Sequence, residues 1–257
     1  MSALTRRFQQ ARGDERLAIL EGFHALKHGL RFGAEIELVA AADPEALEQL
    51  AAALAPDLVR RFRALAGEPV AAEVLATLGP HVPYTRVLAL ARRPPFSRDA
   101  LLSGPANGPL VLVEDPRDLG NVGAVVRVAA GAGAAGVVTT GVHDPWDPAA
   151  LRGSAGLHFA LPVGRDDGFA AAVAASGRPL LALDPDGELL DPAQLPSNAV
   201  LAFGTERHGL SNELLARADA RLRLPMRAGV SSLNLATAVA AVLFAWRLSA
   251  ADAGPPA

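Results

Sequence analysis

The stretch Leu110-Val111-Leu112-Val113-Glu114-Asp115-Pro116-Arg117-Asp118-Leu119-Gly120-Asn121-Val122-Gly123-Ala124-Val125-Val126-Arg127 passes from a short apolar run, through a polar turn, straight into a helical segment. An apolar run without alternation marks a strand covered on both faces, and a helix directly behind it is the usual connection between parallel strands. Outward from it, strand-like runs recur at Gly136 to Thr140, Pro179 to Leu183 and Ala199 to Phe203, separated by alanine-rich helical segments. This alternation predicts an α/β fold with a largely parallel sheet, whose ligands bind beyond the carboxyl ends of the strands.

The glycines Gly131, Gly133 and Gly136 spell G-x-G-x-x-G, a pattern that binds dinucleotides only where a strand precedes it and a helix follows. Here the helical segment Val122 to Ala132 comes first and the strand second, so no helix N-terminus faces a pyrophosphate. The glycines read instead as a helix end and a turn.

Upstream, Leu17, Leu20, Phe23, Ala25, Leu26 and Leu30 fall at roughly helical spacing and predict a first helix over Arg16 to Leu30. Glu35 to Ala41 predicts a strand, and Asp43-Pro44 supplies an N-cap and a first-turn proline for a helix over Glu45 to Leu54. Residues 1–91 are therefore expected to form a small N-terminal α/β domain. The proline- and glycine-rich segment 92–109 reads as a linker, 110–249 as the main domain and 250–257 as a flexible tail.

A chain of 257 residues, 51% hydrophobic, has room for two cores. The absence of cysteine excludes disulfides and thiolate chemistry. The apolar segments are too interrupted to span a bilayer. The N-terminal arginines Arg6, Arg7, Arg12 and Arg16 have no apolar region behind them, which argues against a secretory signal and for the cytoplasm. A net charge of −3 argues against a broadly basic surface but leaves room for a local patch that neutralises phosphates. His24 and His28 share one helical face with no third ligand evident, so no metal is expected.

Two further segments carry candidate chemistry. Leu201-Ala202-Phe203-Gly204-Thr205-Glu206-Arg207-His208-Gly209-Leu210 runs from an apolar strand into a loop where Gly204 and Gly209 permit close backbone approach and Glu206 supplies a carboxylate. Leu222-Arg223-Leu224-Pro225-Met226-Arg227-Ala228-Gly229-Val230-Ser231-Ser232-Leu233-Asn234 places a strand, a loop and a helix start in order. Ser232 and Asn234 suit capping or hydrogen bonding near a helix N-terminus. Each segment alone also has a plain structural reading: Asn121 as an N-cap, Arg127 on a solvated face, Glu206 in a surface loop.

Taken in order, Asn121-x-Gly123-x-x-x-Arg127, Gly204-x-Glu206-x-x-Gly209-Leu210 and Leu224-Pro225-Met226 followed by Ser232-Leu233-Asn234 resemble the three motifs of the SpoU family, within the SPOUT superfamily. The resemblance extends from Leu110 to Arg247. It implies an enzyme that uses S-adenosylmethionine to methylate a ribose 2′-hydroxyl in tRNA or rRNA. It also implies a SPOUT domain with a deep trefoil knot, and a homodimer in which the arginine stands next to the partner's cofactor. By the same resemblance, Gly204, Glu206, Leu224, Met226, Ser232 and Leu233 hold the cofactor, and Asn121, Arg127, Glu206, Ser232 and Asn234 surround the reacting hydroxyl. The family assigns the arginine as a base, yet a guanidinium is a very weak acid, and a charged Arg127 serves equally as an electrostatic stabiliser. Methylation of a base on the same knot, and a catalytically inactive RNA-binding protein, are the alternatives.

Leu151-Arg152-Gly153-Ser154-Ala155-Gly156 resembles another stretch common in the family and makes Ser154 a weaker candidate on the RNA side. Glu21 to Leu30 resembles the small ribosomal-protein-like substrate-binding domain that precedes many SpoU domains. Arg60, Arg61, Arg63 and the basic N-terminal arm are then candidates for phosphate contacts. Tyr84 is a candidate for stacking on a base, or else a turn residue with its ring packed on the domain.

Overall fold

The computed structural model describes residues 2–65, 67–105, 107–205 and 208–252, which fall into two compact units. One unit comprises Met1–Pro95 with Trp146–Ala160, and the other Phe96–Pro145 with Leu161–Ala257.

The first unit contains α1 (Ala3–Ala11), β1 (Leu17–Glu21), α2 (Phe23–Arg31), β2 (Ile36–Ala41), α3 (Pro44–Leu54), α4 (Val59–Leu65), α5 (Ala72–Leu78) and β3 (Val87–Arg92). Its three strands pair antiparallel in the order β1-β3-β2. Phe8, Leu17, Ile19, Leu75, Leu78, Leu88 and Leu90 make a core under α1 and α5. On α2, Phe23 stacks on Phe62 of α4 with ring centroids 5.2 Å apart. The helix expected over Arg16 to Leu30 is thus a strand and a helix, broken at Gly22, whose φ of 90° turns the chain. The reason is burial: Leu17 to Leu20 are all covered, so β1 shows no period of two and its apolar residues imitate a helical face. Farther on, the Asp43 carboxylate accepts from Ala46 N at 2.9 Å and caps α3, with Pro44 opening the helix as the spacing predicts.

The second unit begins with α6 (Arg98–Ser103), inside the expected linker, where Leu101 and Leu102 enter the core. It continues through β4 (Leu110–Val113), α7 (Leu119–Ala132) and β5 (Gly136–Thr139). The chain then leaves for the first unit, where it forms α8 (Pro148–Gly153), and returns with β6 (Val163–Arg165), α9 (Phe169–Ser176), β7 (Leu180–Leu189), β8 (Val200–Phe203), α10 (Asn212–Arg217), β9 (Ala220–Arg223) and α11 (Leu235–Asp252). Of the expected tail, residues 253–257 lie outside the described residues.

Six strands form one parallel sheet in the order β6-β5-β4-β8-β7-β9. Leu110, Leu112, Val138, Leu180, Ala182, Val200 and Ala202 pack with Phe169, Val173 and Leu214 of α9 and α10. Their alternates along the strands point to the opposite face, where α7 packs against β5 and α11. All four side chains of β4 are fully buried, and each contributes roughly 1.5–3 kcal/mol by leaving water. Gly133, at φ 77°, ends α7, as the glycine pattern predicts.

Below the sheet, the buried Arg178 guanidinium donates to the carbonyls of Leu102 (2.9 Å), Gly104 (2.8 Å) and Asn198 (3.2 Å). It thereby closes the end of α6 and fixes the entry to β7. Arg178→Ala strands these acceptors, and a loss of about 3 kcal/mol is expected in urea unfolding, far above the cost of an exposed Arg-to-Ala change.

The segment Trp146–Ala160, expected in the main domain, instead completes the first unit. Ser154 and His158 are wholly buried and share a hydrogen bond of 2.7 Å between Oγ and Nδ1. A Cβ on Gly156 would stand 2.5 Å from the Ala25 carbonyl oxygen, so only glycine lets the segment lie against α2. Arg152 pairs with the buried Glu21 carboxylate at 2.6 Å. His28 Nδ1 donates to the Ala155 carbonyl at 2.8 Å. Burial holds the His28 imidazole below its ordinary pKa of 6.5, with the bond to Ala155 opposing part of the shift. An unfolded chain takes up this proton more readily than the folded one, so the stabilisation is complete above pH 6.5 and is lost as pH falls through the lowered folded value. Thermal unfolding of His28→Gln, which keeps a donor to Ala155 and does not titrate, is expected to lose part of the fall in stability below pH 6.5.

Candidate functional site

Three loops meet at the carboxyl ends of β7, β8 and β9. They line an open cleft of about 240 Å³ whose walls are Leu183, Phe203, Leu222, Leu224, Met226, Leu233 and Leu235, with Asp184, Thr205, Arg223, Ser231 and Ser232 at its polar positions. Five of the six residues named for the cofactor line it: Gly204, Leu224, Met226, Ser232 and Leu233. Glu206, named for both the cofactor and the reacting hydroxyl, lies outside the described residues.

Backbone geometry shapes this cleft. Thr205 N donates to Gly209 O at 3.2 Å and Gly209 N to Thr205 O at 2.9 Å, which folds the loop after β8 back on itself. Gly204 lies so close beneath that a Cβ there would stand 2.0 Å from the Gly209 carbonyl carbon, and Gly209 itself takes a φ of 63°. Sequence reasoning missed Glu114, whose carboxylate accepts from both the backbone N and Oγ of Ser211 at 2.6 Å. That contact ties the exit of β4 to the far end of the same loop, and Ser211 in turn caps α10.

Asn121 does not cap α7; the Asp118 side chain does, accepting from Asn121 N at 3.0 Å. The Asn121 amide thus reaches sideways, and its Oδ1 accepts from Asn234 Nδ2 at 3.0 Å. Asn234 Oδ1 meanwhile accepts from Ala236 N and Thr237 N, which fixes its amide orientation and caps α11. The N-termini of α7 and α11, each capped by a side chain, are thus joined at this pair. Arg127 is exposed on α7 and is not among the residues lining the cleft.

Other candidates have structural partners. Ser154 is buried with His158. Arg7 pairs with Glu37, Arg12 donates to the Leu78 carbonyl, Arg16 pairs with Asp14, Arg61 donates to the Leu30 carbonyl and Arg63 pairs with Glu48. Arg6 and Arg60 are exposed. Tyr84 is entirely exposed, so its ring is not packed on the domain.

The description of the SpoU rRNA Methylase family matches residues 109–244, and the chain belongs to this family. A 23S rRNA (adenosine(1067)-2'-O)-methyltransferase from Streptomyces laurentii is 32% identical over 167 residues, covering 62% of this chain and 60% of that protein, so the match spans less than two thirds of the relative. The fold is similar to the crystal structure of the SpoU methyltransferase AviRb from Streptomyces viridochromogenes in complex with AdoMet, with a TM-score of 0.77 over 98% of this chain and 99% of that one at 23% identity. An AdoMet-bound rRNA methyltransferase from Sinorhizobium meliloti aligns with a TM-score of 0.73 at 28% identity, covering 96% and 92% of the two chains.

The donor set fits an adenosyl ligand: apolar walls for a base, and main-chain groups with hydroxyls at the edges. Gly204→Ala forces the loop after β8 outward, and calorimetry is expected to show about a tenfold loss of S-adenosylmethionine affinity, since a pocket wall displaced by about an ångström forfeits roughly a quarter to a half of its contact energy.

Proposed function

We propose that this protein methylates a ribose 2′-hydroxyl of ribosomal or transfer RNA with S-adenosylmethionine, in the cytoplasm. The observation that carries the reading is the Asn121–Asn234 hydrogen bond, which joins the first and third family motifs beside a cleft built by the second and third. When bound, the cofactor supplies a methyl group made electrophilic by its sulfonium. Gly204, Leu224, Met226 and Leu233 hold it largely through backbone and apolar contact. Ser232, Asn121 and Asn234 orient the ribose hydroxyl and adjacent phosphate, and Glu206 joins this set by family resemblance. Alignment of this kind supplies much of the rate. Arg127 stays charged and stabilises the oxygen as it gains negative character, which needs no deprotonated guanidine.

The same reading includes a homodimer. Gly120, Arg127 and Gly131 are exposed along one face of α7 with Ala124 half-buried between them, and Thr237, Ala241, Phe244 and Leu248 form an exposed stripe on α11. The stripes adjoin, because a Cβ on Gly131 would stand 3.8 Å from Phe244 Cζ. Phe244 and Leu248 are 44% and 66% exposed, an apolar face suited to a second copy of the chain. Arg127 lies in that face and outside its own cleft, so a partner's cleft is where it acts. A trefoil knot also belongs to the reading. Its support is that β9 sits at the sheet edge beyond β7, whereas α11, which follows it, packs on α7 beside β5.

The first unit would bind the RNA. Tyr84 stands on a turn closed by Arg86 N donating to Pro83 O at 2.8 Å, and pinned where Thr85 Oγ1 accepts from Phe23 N at 2.9 Å. A rigid turn bearing a bare aromatic ring suits stacking on an unpaired base.

The test is incubation with labelled S-adenosylmethionine and RNA lacking the modification, followed by nucleoside mass spectrometry. A 2′-O-methylnucleoside is expected; a methylated base would keep the fold and overturn the chemistry. Arg127→Ala is expected to abolish the product while binding cofactor normally. Mixed with Gly204→Ala under conditions that exchange subunits, it should recover about a quarter of wild-type turnover, because half the dimers are mixed and each restores one of two sites. Full turnover by Arg127→Ala alone would remove that residue from the mechanism.

A further inference from the structure

Among the described residues lining the cleft, Asp184 is the only acid. It stands at the carboxyl end of the regular part of β7, where the pairing with β9 shifts register after Leu183. Its side chain is 12% exposed. Oδ1 accepts from Asp186 N at 3.0 Å and holds the local turn. Oδ2 lies 3.9 Å from Arg221 NH1, too far for a hydrogen bond, and the Arg221 side chain is about half exposed to solvent. Oδ2 is therefore an acceptor on a cleft-lining residue that a ligand bringing a donor can use.

We infer that Asp184 accepts hydrogen bonds from the ribose diol of the cofactor's adenosyl group. The inference rests on the S-adenosylmethionine reading of the cleft. Strand order separates the diol from the other donors of that ligand. Asp184 follows the regular part of β7, two strands from β4, so at about 4.8 Å per strand it lies roughly 10 Å from the Asn121 side where the methyl group must be presented. The sulfonium belongs near Asn121 and the nucleoside near Asp184. An acid at a strand end taking a ribose hydroxyl is a pairing that nucleotide-binding sheets use for the same geometric reason: the strand end is rigid and the diol offers donors to a group that only accepts.

The experiment is calorimetric titration of the wild type and Asp184→Asn with S-adenosylmethionine, S-adenosylhomocysteine and the 2′-deoxyadenosyl analogue of the latter. Asparagine retains Oδ1 for Asp186 N, so the turn persists, and thermal unfolding of the apo variant checks this. The variant is expected to bind the methylated and demethylated cofactors alike about tenfold more weakly. The wild type should lose a similar factor on the 2′-deoxy analogue, and the variant should not distinguish that analogue from its parent. Unchanged affinity in the variant, or a wild type indifferent to the 2′-hydroxyl, overturns the inference. A loss confined to S-adenosylmethionine overturns it too, because that pattern marks a contact with the sulfonium. Should Asp184→Asn fail to fold, Asp184→Ser, which removes the carboxylate, takes its place in the same titrations. A wild type that binds none of the three overturns the methyltransferase reading itself.

Discussion

Parallel pairing of β4 with β8 is the constraint on which the rest of the site depends. Leu110 to Val113 align residue for residue with Val200 to Phe203, strands far apart in sequence and buried on both faces. Because the strands run the same way, the turn that opens α7 and the glycine loop after β8 emerge side by side. The Glu114 carboxylate then grips Ser211 across that junction. Beyond β8, β7 and β9 add their own exits, and the cleft is the space these exits leave. Such long-range pairing forms only once its loop-closure cost is met, which makes the site a product of the completed sheet and not of any one motif.

The inner wall of this cleft is built from main chain. The wall that Gly204 and Gly209 provide is a matter of how near two backbones come, and the asparagine pair beside the cleft is occupied with itself and with a helix cap. Asn234 caps a helix with its carbonyl and spends its amino group on Asn121. Asp118 frees Asn121 for that contact by taking over the cap. The first-turn N–H groups of both helices are thereby satisfied by side chains, Asp118 on α7 and Asn234 on α11.

The central strands were legible in the sequence because each is a short apolar run bounded by turn residues, and so was α3, whose Asp-Pro start has one physical meaning. β1 was not, since a strand buried on both faces loses the alternation by which strands are recognised. The helix inside the expected linker was hidden by the prolines before it and the glycines after it, which bound α6 and do not interrupt it. Asp184 carried no spacing signal at all: a carboxylate after an apolar run, followed by Pro185 and Asp186, reads as a turn, and only the strand order turns it toward the cleft. The partners of Arg7, Arg61 and Arg63 are long-range and equally invisible to local pattern.

The first unit is discontinuous, and this bears on how such a protein is synthesised and recombined. Trp146–Ala160 reaches the ribosome's exit only after β4, α7 and β5 have been made, so the unit cannot finish its core as an N-terminal fragment. Until then the Glu21 carboxylate lacks Arg152, and α2 lacks the segment that Gly156 lets approach it. A single genetic crossover near Pro95 would therefore separate the unit from its own last piece. Exchange of this unit between relatives needs two breakpoints, or coordinated change in α2 and in the segment around Ser154, so the two halves of the chain are bound to evolve together.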